Sequence, residues 1–322
     1  MTGLRFVEHH VRGLKDIRAI MNSMKTLAYI ETQKLSRIVD AQRAVTRQLH
    51  IAAVDLLAGY PDILPVAVPA RHVRIVLGTE RGFCGNLNQQ LLQHCSAGTD
   101  TGPTLMVGRK LYSSMSEALQ GSAVPVDGAG VAEEVPAVLN HIVDELETLR
   151  NAHGPATVSA VSYNADGSVS ERKLLPPFRQ EDADAGEYAH APLLNVAPER
   201  LLLDLTDQYL VSSLFEILYE SLSTENHRRV KHLSDAVRHL DKQCTELTHR
   251  ANALRQEQIT EEIEVLLLSI GSAGPGTKTG PRSSRRSARS GSQVRARPVS
   301  TSPHQIPRGG TRYGREATRE AD

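Results

Sequence analysis

The sequence predicts an α/β fold combined with a long antiparallel coiled coil, in which N- and C-terminal helices pack together and a small, mostly parallel α/β domain is inserted between them. Three observations predict it. Two long stretches without Gly or Pro carry apolar residues at alternating four and three spacing, one near each end of the chain. Between them, short apolar runs alternate with turn signals and helical segments. Aromatic residues make up only 4% of the 322 residues and Trp is absent, which is thin for one large compact core.

The first element spans residues 1–60. From Leu14 to Ala58 there is neither Gly nor Pro, and the stripe Leu14, Ile17, Met21, Met24, Ala28, Leu35, Ile38, Val45, Leu49, Ala52, Leu56 is broken only by the polar Glu31 and Gln42. A period near 3.5 sustained over this length is the seam of a coiled coil rather than the wider face of a globular helix. Gly59 and Pro61 end it. At about 1.5 Å per residue the helix is about 65–70 Å long, beyond the span of an ordinary domain.

Residues 70–192 form the inserted domain. Val73–Leu77, Thr104–Val107 and Thr157–Tyr163 read as buried strands, and Ser168–Leu175 as an edge strand. Helical stretches lie near Asn86–Cys95, Lys110–Leu119 and Val131–Arg150, and Pro176–Pro192 reads as a polar loop. Strand alternating with helix implies a mostly parallel sheet covered by helices.

The C-terminal helix covers residues 196–271. Nothing from Glu199 to Ile270 is Gly or Pro, and Val230, Leu233, Val237, Leu240, Cys244, Leu247, Ala251 and Leu254 keep strict spacing, continued with a small phase shift by Ile259, Ile263, Leu266 and Ile270. Pro198 and Gly271 stand where helix boundaries favour them. The two seams bury themselves most simply against each other. The second helix is the longer, so part of it must project past the first or bend around the domain.

Residues 272–322 read as a disordered basic tail. From Gly271 onward there are eleven Lys or Arg against three acids, so a net charge of zero divides into +8 on the tail and −8 on the body. Such a segment has too little apolar surface to fold alone. With Tyr313 its only aromatic residue it lacks the interleaved rings of a base-stacking surface, and no nucleic-acid partner is expected.

Catalytic chemistry finds little support. The turn RGFCGNLN follows a strand as a phosphate loop would, but matches neither GxGxxG nor GxxxxGK[ST]. Cys84 with His94 lacks an orienting third group, and a small buried residue is the better reading of this cysteine. Cys84, Cys95 and Cys244 show no metal spacing, and no HExxH motif occurs, so no metal or cofactor is expected. The charged N-terminus offers no signal-peptide core, and no segment has the eighteen or more apolar residues of a membrane span, so membrane association is expected only through partners.

Four segments carry a resemblance to a known family. LKDIRAIMNSMKTLA (Leu14–Ala28) resembles the opening helix of F-type ATP synthase γ subunits, which leads into AMKMVA; GTERGFCGNLN (Gly78–Asn88) resembles their TSDRGLCGGLN turn. STENHRRV (Ser223–Val230) resembles ASExAARM, and ANALRQEQITEEI (Ala251–Ile263) resembles YNKARQAxITQEI. Glu80, Phe83, Asn86 and Ala251 replace the family's Asp, Leu, Gly and Tyr, which points to a divergent branch, an alternate bacterial type.

The resemblance implies a non-catalytic rotor shaft within a hexamer of α and β subunits, resting on the c-ring and the ε subunit, peripheral at the cytoplasmic face of the bacterial inner membrane. It implies subunit contacts at Met24 and Lys25, which match the family's contact point with acidic lever loops of β. Arg229, Arg255, Gln256, Thr260 and Glu262 match positions that couple the C-terminal helix to β and to the first helix. By spacing alone Met24 equally fills the seam, and the others equally belong to solvated faces. Residues 1–57 carry nine basic and five acidic side chains, a surface suited to acidic partners. A coiled-coil scaffold or adaptor unrelated to ATP synthase would need only the seams; the rotor reading also needs RGFCG and LRQEQIT in place, and both are present.

Overall fold

The computed structural model describes residues 2–64, 70–97, 102–115, 123–164, 166–178 and 192–272. The chain divides into two units, Met1–Val265 and Leu266–Asp322. The tail expected to be disordered and most of the expected loop at 176–192 lie outside the described residues.

In the first unit, α1 (Thr2–Gly59) runs antiparallel to α5 (Pro198–Ser272). Pairs between them fall on α5 as they rise on α1: Glu8 with Arg255, Arg18 with Asp241, Arg43 with Glu220. The first helix starts well before Leu14 and runs through Gly3 and Gly13. Neither meets another atom at the place a Cβ would occupy, and an exposed helical Gly costs only about 1 kcal/mol.

On α5 the expected row holds, with Leu233, Val237, Cys244 and Ala251 all buried. On α1 one of the two rows lies a residue later than the spacing predicts. Ala28, Leu35 and Leu56 are buried as expected, but the alternate positions are Thr32, Val39, Thr46 and Ala53, while Ile17 and Val45 are 46% and 50% exposed. The two threonines of this row satisfy their hydroxyls within the helix. Thr32 Oγ1 donates to Ala28 O at 2.9 Å and Thr46 Oγ1 to Gln42 O at 3.2 Å, so both small side chains enter the seam without an orphaned polar atom. Gln42, a break in the apolar stripe, donates from Nε2 to Ser212 O (3.1 Å) and Ser212 Oγ (2.9 Å) across the helix pair. Past the last pairing with α1, Ile259, Ile263 and Val265 are exposed.

The inserted domain is a five-stranded sheet in the order β3-β2-β1-β4-β5: β1 (Arg71–Leu77), β2 (Thr104–Val107), β3 (Ala123–Val126), β4 (Ala156–Tyr163) and β5 (Val169–Leu175). The first four are parallel and β5 is antiparallel to β4, with Ile75 facing Leu105 on one side and Ala160 on the other. The third strand was not expected, because AVPV contains Pro125. It forms as an edge strand, where a missing N–H is tolerated.

Helices α2 (Leu87–Ala97) and α3 (Arg109–Ser113) cover one face; α3 is shorter than the expected Lys110–Leu119, whose last four residues are outside the described ones. The other face packs on α4 (Val135–His153) and on the shaft helices. Ile75, Leu105 and Ala160 meet Ile142 from α4, Leu35 from α1, and Leu214 and Ile217 from α5. The domain therefore shares its core with the shaft.

In the second unit the described residues end α5 at Ser272, with Leu266, Leu267, Leu268 and Ile270 exposed.

Candidate functional site

The turn after β1, residues 78–86, is where domain and shaft meet through polar groups. Gly78 opens it because α3 lies too close for a side chain: a Cβ there would sit 2.4 Å from Leu111 Cβ. Phe83 follows at φ 65°, a left-handed conformation rare for a bulky residue, with its ring 44% exposed. Its strain, of order 1 kcal/mol or more, is offset by the contacts that fix the turn on either side.

Two buried carboxylates make those contacts. Glu80 accepts from the backbone N–H of Arg109 (2.9 Å) and of Gly128 (2.9 Å), and its other oxygen pairs with the Arg109 guanidinium. Glu225, on α5, accepts from the backbone N–H of Glu80 (3.1 Å) and Arg81 (3.2 Å) and pairs with Arg229 one helical turn away. Arg229 completes the circuit, donating from Nη1 to Asn226 Oδ1 at 2.8 Å and from Nε to Gly82 O at 3.2 Å. Burial pushes the Glu225 carboxyl upward, opposed by Arg229 and by the two backbone donors.

Beside the turn lies a groove of about 750 Å³ between α1 and the domain, with Met24, Leu27 and Ile30 on one wall and Phe83, Arg109 and Lys110 on the other. Leu27 and Ile30 are exposed apolar residues on this side of α1. An apolar trough edged by basic groups suits a segment that alternates apolar and acidic side chains.

The residues singled out from sequence fall into two groups. Met24 and Lys25 are half-buried, and Met24 lines the groove. Arg229 is 4% exposed, and its guanidinium is used inside the chain, by Glu225, Asn226 and Gly82. Arg255, Gln256, Thr260 and Glu262 lie some 26 or more residues farther along α5, about 40 Å by helical rise, and all are exposed. Arg255 donates from Nη2 to Glu8 Oε1 of the first helix at 3.2 Å, and Thr260 Oγ1 donates to Gln256 O at 2.9 Å within its own helix.

Sequence reasoning missed Glu80, Arg109 and Glu225. It noted Glu31 only as a break in the stripe, yet Glu31 Oε1 accepts from Ala132 N at 2.7 Å, and Lys34 one turn away pairs with Glu133. A charged residue inside an otherwise apolar seam was the signal.

Cys84 is buried among Val76, Leu87 and Leu91, and burial pushes its thiol up to about 12, so it carries no thiolate at neutral pH. Its S–H points at Gly82 O, 3.3 Å away, and the group reads as packing. Among the described residues no cluster of three His, Cys, Asp or Glu could hold a metal ion, and no helix is long and apolar enough to cross a membrane.

Comparison with known proteins decides the family. The family pattern described as ATP synthase matches residues 3–267. Curated relatives include an ATP synthase gamma chain from Heliobacterium modesticaldum, 23% identical over 281 residues, which cover 82% of this chain and 96% of that one. Another from Desulfitobacterium hafniense is 25% identical over 286 residues, covering 83% and 98%. The chain belongs to the ATP synthase γ family. In its fold this γ-family chain is similar to a chain of the Euglena gracilis mitochondrial ATP synthase OSCP/F1/c-ring structure, with TM-score 0.57 and 16% identity over 87% of this chain and 98% of that one. A chain from the rotor of the same synthase gives TM-score 0.54, also at 16% identity, over 80% and 98%. The four segments that carried the resemblance all fall within the matched residues, and the basic tail falls outside them.

Proposed function

We propose that this chain is the central rotor shaft of an F-type ATP synthase, converting rotation of a membrane c-ring into sequential opening and closing of catalytic β subunits. The observation that carries the reading is the antiparallel pairing of the two chain ends over most of α1, in a family whose named members are ATP synthase gamma chains. A torque-bearing part must resist twisting, and two helices interlocked through a heptad seam resist it better than one.

The role divides along the molecule. The groove at Met24, next in sequence to Lys25 and with Arg109 and Lys110 opposite, takes the acidic lever loops of β. Arg255, Gln256, Thr260 and Glu262 present the second contact, where α5 leaves its partner helix. The remaining partners are the α subunits, ε and the c-ring, and the chain is peripheral at the cytoplasmic face of a bacterial inner membrane. Exposed apolar residues on α1 and α5 meet that housing as a low-friction surface, since apolar contact has no preferred direction. ATP chemistry belongs to β, and this chain contributes no catalytic group.

The test is assembly. Co-expressed with α and β from the same genome, the chain should yield a complex that hydrolyses ATP, with a bead on the α/β domain turning in one direction. A complex that hydrolyses ATP while the bead stays fixed would overturn the reading. The isolated chain should neither bind nor hydrolyse nucleotide.

A further inference from the structure

Domain and shaft are joined in two physically different ways. The shared apolar core, with Leu35, Leu214, Ile217 and Leu222 against the sheet and α4, supplies adhesion. Such contact is non-directional: its close packing resists displacement but sets no bond geometry. Angular position has to come from groups with directional geometry. The largest buried set of these is Glu225 and Arg229.

The pair has the features of a lock. Both side chains are almost fully buried, 4% and 5% exposed, so neither solvent nor salt competes for them. Glu225 takes two successive backbone donors of one turn, at Glu80 and Arg81, and Arg229 returns a bond to the next carbonyl, Gly82. Three consecutive residues of the domain are thus held from one turn of α5. The held turn is in turn tied deeper into the domain, because Glu80 binds Arg109 N and Gly128 N at the ends of β2 and β3. Displacement of the domain around the shaft by even 1 Å would break several of these bonds together, since charge-assisted hydrogen bonds weaken steeply with distance and angle.

We propose that Glu225 and Arg229 are positioning residues that fix the angular register of the α/β domain on the shaft, so that torque entering at the domain reaches the helices without slip. Arg172 of the edge strand β5, paired with Glu216 at 2.9 Å, adds a weaker, half-exposed tie to the same helix. The proposal rests on the rotor reading.

A single substitution would leave a bare buried charge and risk misfolding. The double variant E225Q/R229M avoids this, because it removes both charges together and keeps one acceptor for the N–H groups of the turn. Replacing a buried pair by uncharged residues of similar volume is often close to neutral in stability. The experiment places the full synthase, with native or variant chain, in sealed vesicles and measures ATP hydrolysis alongside the ATP-driven membrane potential read by a voltage-sensitive dye. The expected result is that E225Q/R229M keeps the native melting temperature and most of the hydrolysis, while potential generated per ATP falls several-fold. An unchanged ratio overturns the lock, and so does a parallel loss of hydrolysis and potential, which would make the pair merely structural. If the native chain itself generates no potential, the rotor reading fails, and the proposal with it; that failure is visible before any variant is compared.

Discussion

Two neighbouring stretches of α5 are held by different kinds of chemistry. From Leu233 to Ala251 the helix meets α1 through a narrow apolar row, and its charged contacts, Arg18 with Asp241 and Glu8 with Arg255, sit at the exposed margins. From Ser212 to Arg229 it buries Ser212, Ser213, Glu216, Glu220, Glu225, Asn226 and Arg229 against α1 and the α/β domain. The first region needs only two helices to approach and stay in phase. The second must hold a separate domain at a fixed angle, and that demands directional bonds; the desolvation cost of its three glutamates is offset by pairing with Arg172, Arg43 and Arg229. A polar face buried on a helix is thus a mark of docking, and an apolar row with charged margins a mark of pairing.

The largest effect expected from this contrast is at Glu225. Glu225→Ala leaves Arg229 buried without its counter-charge and orphans two backbone donors, which should cost about 3–5 kcal/mol in urea unfolding of the full chain followed by circular dichroism. Glu8→Ala, which removes an ion pair of the other region, should leave the midpoint unmoved. Comparable losses at the two positions would erase the distinction. The next effect sharpens the seam itself. Leu35 is fully buried where shaft and domain cores join, so Leu35→Ala should cost about 2–5 kcal/mol, while Val45→Ala, at an exposed position that heptad spacing would put in the seam, should change stability by less than about 0.5 kcal/mol.

That pair of substitutions also marks where the sequence stops being informative. The C-terminal row was legible because Leu233, Val237, Cys244 and Ala251 repeat a period that only a helix seam requires. On α1 the same logic selected Val45 over Thr46, since hydropathy cannot register a hydroxyl that its own helix satisfies. The docking contacts were opaque for a different reason. Glu80 and Glu225 are 145 residues apart, and neither has a local pattern that names its partner. Of the functional residues, those carried by a family-like segment could be named, but their division between outward contact and inward fastening could not. Arg229 stands in such a segment and turns inward, whereas Arg255 turns to Glu8 at the surface.

The turn held by Glu225 has a thermodynamic signature in Cys84. Burial raises its thiol to about 12, against about 8.5 for a free cysteine, so between those values the folded state keeps a proton that the unfolded chain has lost. Stability should therefore be level up to about pH 8.5 and decline as pH rises toward 12, and Cys84→Ala should flatten that part of the profile. At pH 8 the native thiol should react with a disulfide reagent on the order of a hundred-fold more slowly than after unfolding. Fast labelling of the folded chain at Cys84 would mean that the turn opens without global unfolding, and that the domain is held less firmly than the paired carboxylate implies.

The smallest expected effect lies in the pairing region, at the position where the family pattern carries Tyr. Ala251 leaves a groove of about 390 Å³ between α1 and α5, bordered by Val11, Arg12 and Lys15 on one helix and Thr248 and Asn252 on the other. The groove lies close to where α5 passes the start of α1. Ala251→Tyr would cover the apolar side of Val11 with its ring and leave its hydroxyl at the polar rim, a gain of about 1 kcal/mol if the groove accepts the ring without displacing the helices. A raised melting temperature would show that this region tolerates a tighter seam. A lowered one would show that the helices are already in closest contact and that the ring forces them apart, as overpacking does. Because the substitution lies far from Glu225, its effect should add to that of Glu225→Ala without interaction, and a double-mutant cycle between the two measures whether pairing and docking are independent along one helix.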